Sequence, residues 1–168
     1  MPPSAATGGM VMSECHCCSH ARGNHDASVS ARCPACAARG FGVGLVTLKS
    51  LLLPQALAKL NSTVSYYMCP NKACHVVYFD DSGQIYKTTD LKVPVFQKSD
   101  DEDCPVCYCF GWTRRRIKRE IDETGTSTAI ADISAHVKAG RCACEVNNPQ
   151  GSCCLANVAS VISAHLAR

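Results

Sequence analysis

Apolar and polar positions alternate from Gly42 to Leu52 (GVGLVTLKSLL), with Val43, Leu45, Thr47 and Lys49 on one side and Gly44, Val46, Leu48 and Ser50 on the other. That period of two predicts a β-strand. Pro54–Leu60 (PQALAKL) predicts a short helix with proline in its first turn, ended by Asn61 and Ser62. Val64–Met68 and His75–Asp80 predict two further strands, the second closed by the turn Asp81-Ser82-Gly83, and Gln84–Lys87 and Leu91–Phe96 predict two short ones. After the polar, acidic run Gln97–Asp103 the period becomes helical. Thr113 can cap a helix running to Glu123, with Ile117 and Ile121 on its buried side and Gly125 at its end. Ser127 or Thr128 can start a second, with Ile130, Ile133 and Val137 inward and Gly140 closing it. Beyond the turn Asn147–Gly151, a last helix is expected from about Ser152 to Ala167, along Leu155, Val158, Val161 or Ile162, and His165 or Leu166.

Composition changes this picture through cysteine. The chain has 168 residues, enough for one or two small domains, and 14 of them are Cys while aromatics are few. A core split between two small modules is thin, so staples are expected. Met1–Met12 has neither the basic nor the apolar region of a secretory leader, and the apolar stretch Leu45–Leu60 is broken by Lys49, Pro54, Gln55 and Lys59. The expectation is a cytoplasmic protein without a membrane span, whose thiols bind metal rather than form disulfides. A net charge of +3 is too small to argue for nucleic acid, and the aromatics near the basic run Arg114–Arg119 are limited to Tyr108, Phe110 and Trp112.

The thiols fall into three groups. Residues 1–31 are expected to be a disordered Cys/His-containing tail, in which Cys15, His16, Cys17, Cys18 and His20 offer a candidate site for an extra soft metal such as copper. Residues 32–98 hold Cys33-Pro34-Ala35-Cys36 and Cys69-Pro70-Asn71-Lys72-Ala73-Cys74, two pairs each beside a strand. Four thiolates from two such turns suit a closed, structural Zn²⁺ site; disulfides and a single iron are the rivals. His75 adjoins a ligand but is expected to face outward. Residues 99–168 form the helical part, with Cys107 and Cys109 as a C-x-C pair and Cys144 with Cys153 or Cys154 much later. Four thiolates delivered where helices begin suit an anionic [2Fe–2S] core, because unpaired N–H groups and the helix dipole favour negative charge. Cys104, Cys142 and one of Cys153 and Cys154 are then spare, since adjacent helical side chains diverge by about 100°. The basic residues of Arg114–Arg119 sit where they oppose the helix dipole. They are expected to offset cluster charge, to meet a protein partner with an acidic face, or simply to be solvated.

These motifs together (C-P-x-C, C-x4-C followed by Val76-Val77-Tyr78-Phe79, Val106-Cys107-Tyr108-Cys109, and C-x8-C-C around Asn148-Pro149-Gln150-Gly151) resemble the N-terminal, cluster-bearing domain of CopZ-type copper chaperones over Cys33–His165. The last part alone resembles bacterioferritin-associated ferredoxin. The resemblance implies an α+β fold: a small zinc-stapled β module followed by a helical [2Fe–2S] module of the bacterioferritin-associated-ferredoxin type. It implies zinc on Cys33, Cys36, Cys69 and Cys74, and the cluster on Cys107, Cys109, Cys144 and Cys154. The expected function is a non-enzymatic iron–sulfur and zinc accessory protein that reduces Cu(II) to Cu(I) and handles copper. The second, copper-loop domain of such chaperones has no counterpart in these 168 residues. The alternatives are a redox-sensing [2Fe–2S] adaptor or ferredoxin-like binding module, and a soft-metal storage protein.

Overall fold

The computed structural model describes residues 31–168; the tail site expected at Cys15, His16, Cys17, Cys18 and His20 lies outside the described residues. Four antiparallel strands form one sheet in chain order: β1 (Phe41–Val43), β2 (Tyr66–Met68), β3 (Val76–Asp80) and β4 (Ile85–Lys87). Register sets Phe41 opposite Met68, Tyr67 opposite Phe79 and Tyr78 opposite Tyr86, with an irregularity between Val76 and Tyr78. All five residues of β3 are buried. They serve two clusters. Val77 and Tyr78 join Leu48, Leu52, Met68 and Tyr86, whereas Val76 and Phe79 pack with Cys33, Cys69 and Cys74.

The strand expected over 42–52 is a strand only to Val43. From Leu45 to Leu51 the chain is a helix, α1. Leu48 and Leu52 are fully buried and Leu51 nearly so, while Val46 and Lys49 face out. The apolar run satisfies both periods, and the i, i+3, i+4 spacing prevails because it buries Thr47, Leu48 and Leu51 on one side. Pro54–Leu57 is the expected short helix, α2, with Pro54 at its start. Leu91–Phe96 is not a strand: Leu91 bridges Leu52, and Pro94 lacks the N–H a ladder needs.

The second half opens with a hairpin that the sequence did not announce, β5 (Pro105–Cys107) against β6 (Trp112–Thr113). Helix α3 (Arg114–Thr124) begins as expected, with Thr113 Oγ1 accepting from Arg116 N at 3.1 Å, and ends at Gly125, whose φ of 80° suits glycine. Helix α4 (Ala129–Lys138) starts under Glu120, whose carboxylate accepts from Ser127 Oγ, Thr128 N and Thr128 Oγ1. Ile133 points inward, but Ile130 is 40% exposed, contrary to its expected place. The short α5 (Cys144–Asn147) was not expected; α6 (Leu155–Leu166) was, with Val158 and Val161 buried. Ile117, Ile121, Ile133, Val158 and Trp112 share one apolar cluster, and Trp112 Nε1 donates to Asp132 at 2.8 Å.

The acidic run 97–103 is strapped on both sides. Lys72 pairs with Asp100, and Lys98 Nζ donates to the Asn71 carbonyl. On the helical side Lys118 meets Glu102 at 2.6 Å and Arg115 meets Asp103 at 2.6 Å. Much of the basic run is thus answered from within the chain. Arg114 lies 4.1 Å over the Phe96 ring and Arg116 3.6 Å over Trp112.

The two halves meet directly. Thr47, buried in α1, donates to the Glu145 carbonyl of α5 at 2.6 Å, and Tyr78 OH donates to the Pro149 carbonyl at 2.6 Å. Gly151, at φ 67°, leaves no room for a side chain: a Cβ there would lie 2.9 Å from Thr47 Oγ1. Gly151→Ala is expected to cost about 1–3 kcal/mol, read as a lower denaturation midpoint. An unchanged midpoint would show that this close approach does not matter. The three hydrogen bonds hold the Glu120 carboxyl below the usual carboxylate range. A depressed folded value gives stability that is present above the unfolded pKa and lost as pH falls through the folded one. Glu120→Gln should therefore cost about 0.5–1 kcal/mol near neutrality. The gap to the native chain should close on acidification, as thermal melts at graded pH would record.

Candidate metal centres

Cys33 and Cys36 lie in the turn before β1, and Cys69 and Cys74 bracket the turn between β2 and β3. Pairing of these strands brings the two turns to one end of the sheet. The four sulfurs all lie within 4.8 Å of one another. Cys33 Sγ is 3.8 Å from Cys74 Sγ, and Cys36 Sγ is 3.6 Å from Cys69 Sγ. Such separations are far from the ~2.05 Å of a disulfide. They match the about 3.8 Å edge of a sulfur tetrahedron with Zn–S near 2.3 Å. The donor set and its dimensions therefore fit Zn²⁺.

Backbone N–H groups complete the geometry. The amide two residues on is directed at the sulfur in three cases: Ala38 at Cys36, Asn71 at Cys69 and Val76 at Cys74. The Ala38 N–H is the main reason the Cys36 thiol is lowered to about 6. Burial pushes Cys69 up to about 12 and raises Cys74. Ala37, between Cys36 and Ala38, takes the left-handed φ of 59° to turn that amide inward. His75 is exposed, as expected for a residue outside the quartet.

The second group of thiols spans three elements. Cys107 ends β5, Cys109 follows in the hairpin turn, Cys144 begins α5, and Cys153 and Cys154 precede α6 with Cys154 as its N-cap. Their titrations are linked, Cys107 with Cys154, Cys154 with Cys144, and Cys144 with Cys109. Interaction with Cys144 also lowers Cys153 to about 7. Ala143 N is 3.4 Å and Asn147 Nδ2 3.6 Å from Cys109 Sγ. Interaction with Cys107 lowers Cys154 to about 4, and interaction with Cys144 lowers Cys109 to about 6. The partners Cys107 and Cys144 are raised. Thiolates at these positions, met by N–H donors, suit an anionic iron–sulfur group.

Cys104 stands apart, buried beside Tyr108, Ser99 and Arg114. His136 stacks on Phe110 at 4.3 Å, and His165 Nε2 lies 2.7 Å from Asp122 Oδ1, so both histidines are engaged away from the sulfurs. Asn147 and Ala143 were missed as sulfur partners. The sequence marks Asn147 only as part of a turn, and a backbone donor such as Ala143 leaves no residue-type signal.

Residues 30–92 match the CopZ family model described as a zinc binding domain. The copper chaperone CopZ of Archaeoglobus fulgidus is 30% identical over 123 residues, which are 73% of this chain and 57% of that protein. This chain thus spans little more than half the length of that curated relative. The X-ray structure of the N-terminal domain of A. fulgidus CopZ is similar at a TM-score of 0.65 and 28% identity, covering 78% of this chain and 97% of that domain. That share exceeds what residues 30–92 alone can supply, so the likeness continues into the helical half. No helix among the described residues is long and apolar enough to cross a membrane.

Metal binding needs the thiolate, so affinity falls as thiols protonate. With Cys69 and Cys74 raised and only Cys36 lowered, zinc must displace protons on binding, so retention against a competing chromophoric chelator is expected to fall progressively as pH drops from 8 to 4. Retention that is flat from pH 7 to pH 4 would contradict the site.

Proposed function

We propose, from the match of residues 30–92 to the CopZ zinc binding domain model, that the chain is a non-enzymatic metal-binding accessory protein of the copper-chaperone type with two inorganic centres. Cys33, Cys36, Cys69 and Cys74 hold Zn²⁺ as a structural staple, and Cys107, Cys109, Cys144 and Cys154 hold a [2Fe–2S] cluster. The observation that carries the second assignment is the pair of N–H donors on Cys109 Sγ, Ala143 N at 3.4 Å and Asn147 Nδ2 at 3.6 Å, in a chain whose likeness to the CopZ N-terminal domain runs past the zinc half.

When bound, the cluster supplies one-electron chemistry: an electron passed to Cu(II) leaves Cu(I), the state that soft thiolates prefer. The chain's own residues set how readily that happens. Ala143 N and Asn147 Nδ2 donate toward Cys109 and stabilise added negative charge. Burial of Cys107 and Cys154 under Val106, Trp112 and Val158 excludes water from one side, while the half-buried Cys109 leaves the other near solvent. Of the four thiols Cys109 alone is half-exposed, so it would be the ligand that an acceptor such as Cu(II) would approach were a cluster bound.

Two measurements test this. Anaerobically purified protein should contain zinc, iron and acid-labile sulfide. Titrating its reduced form with Cu(II) should oxidise the cluster and yield an equal amount of Cu(I); if no electron moves, the copper role falls. Replacing Asn147 by Ala removes a donor to Cys109 and should make the reduction potential more negative, as spectroelectrochemistry would register. A potential that stays put or rises would remove Asn147 from the site.

A further inference from the structure

Two loops carry the thiols of the helical half, and each is tied down by a tyrosine. Tyr78 OH of β3 donates to the Pro149 carbonyl at 2.6 Å, which fixes the loop between Cys144 and Cys154. The other loop is tied by Tyr108, the residue between Cys107 and Cys109. Tyr108 OH donates to the Pro94 carbonyl at 2.7 Å and accepts from Phe96 N at 2.9 Å. The phenol thus uses its donor and an acceptor site on one short stretch of backbone. That stretch is itself held. Val95 packs in the sheet-side cluster. Phe96 is gripped from α3: Arg114 Nη2 donates to its carbonyl at 2.9 Å, and the Arg114 guanidinium lies 4.1 Å over its ring. The next residue after Tyr108 is engaged elsewhere. Cys109 Sγ accepts from Ala143 N at 3.4 Å and from Asn147 Nδ2 at 3.6 Å. The peptide joining Tyr108 to Cys109 is therefore held at both ends, by residues 94–96 and by α5.

We infer that Tyr108 is a positioning residue for Cys109: its hydroxyl, bonded to Pro94 and Phe96, holds the loop so that Cys109 Sγ stays against the Ala143 and Asn147 donors. The inference rests on the cluster reading above. Donors to a ligand sulfur stabilise the added negative charge of a reduced cluster. Whatever keeps the sulfur at those donors therefore helps to set how readily the group takes up an electron. The hydroxyl is the operative atom. Tyr108→Phe keeps the ring but leaves the Pro94 carbonyl without its donor and the Phe96 N–H without its acceptor, so the loop gains freedom between its two cysteines.

The test compares Tyr108→Phe, Asn147→Ala, the two combined, and Tyr66→Phe, each in the full chain prepared anaerobically. Tyr66 is the control, because its hydroxyl also bonds backbone on both counts, accepting from Asn61 N at 3.0 Å and donating to the Asn61 carbonyl at 3.1 Å, but within the sheet half. Each protein is assayed for iron and acid-labile sulfide, for reduction potential by spectroelectrochemistry, for the EPR of the reduced form and for its denaturation midpoint. Tyr108→Phe is expected to keep iron and sulfide, to move the potential to more negative values and to alter the EPR signal. Because Tyr108 acts through the donors on Cys109, the double variant should move the potential by less than the sum of the single shifts. Tyr66→Phe should lower the midpoint and leave the potential where it was. A Tyr108→Phe protein that is folded by its midpoint yet has lost the cluster, while Tyr66→Phe keeps it, also supports the inference. The inference is overturned if Tyr108→Phe leaves potential and EPR unchanged, if the two shifts simply add, or if Tyr66→Phe moves the potential as far. Absence of iron and sulfide from the unaltered protein is a different failure: it removes the cluster reading, and this inference with it, before any variant is compared.

Discussion

The convergence of four sulfurs at one end of the sheet is the constraint from which the rest follows. Strands β1, β2 and β4 are three residues long and β3 is five, too short to make a stable sheet by ladder hydrogen bonds alone. The cluster around that end contains only Val76 and Phe79 as fully buried apolar residues besides three cysteines. Its fourth wall is Cys36. Four thiols brought together without a cation leave polarisable groups in each other's way, and four thiolates repel. A divalent cation turns both liabilities into attraction, and its binding energy becomes folding energy. The N–H groups of Ala38, Asn71 and Val76 fit this account, because each is directed at a sulfur that would be negative when metal is bound.

How much of this was readable from residues alone depended on whether a local rule had a rival. The caps did not. Thr113 and Gly125 delimit α3 just where the side chain and the positive φ require, and Gly140 closes the next helix with φ 67°. The C-x-x-C and C-x4-C pairs likewise come together as their spacing suggests. The run from Gly42 to Leu52 did have a rival, because leucines at 45, 48, 51 and 52 fit a helical stripe as well as an alternation. Tertiary burial decided it in favour of α1. The hairpin of β5 and β6 was hidden because its strands are three and two residues long, and α5 because four residues are too few to show a period. Both hidden elements carry cysteines. The elements that carry Cys107 and Cys144 are too short to show a period of their own, so pattern reading weakens there.

The polar run 97–103 shows a related limit. Its composition reads as a domain boundary; just before it, Val95 packs in the sheet-side cluster and Phe96 against the helical one. Composition does not reveal that Glu102 and Asp103 answer Lys118 and Arg115, or that Asp100 answers Lys72 on the other side. Exposed pairs of this kind contribute little individually. Their arrangement still explains a feature that local helix physics opposes, namely cations in the first turn of α3. The helix dipole disfavours them, whereas the acidic residues that precede the helix and the Phe96 and Trp112 rings offset that cost.

The contacts between the halves give the first thiol group influence over the second. The segment bearing Cys144, Cys153 and Cys154 is fastened to the sheet half at Glu145, Pro149 and Gly151 by Thr47, Tyr78 and Val43. Tyr78 lies on β3, between Val76 and Phe79 of the cluster that surrounds Cys33, Cys69 and Cys74. Loosening that end of β3 would therefore release the Pro149 carbonyl. With it would go the turn whose Asn148 and Gln150 hold the Ser152 and Cys153 carbonyls in place. Coupling of this sort needs no conformational switch. It needs only that one short strand serve both a structural staple and the docking surface for a ligand-bearing loop, and β3, buried along its whole length, does so.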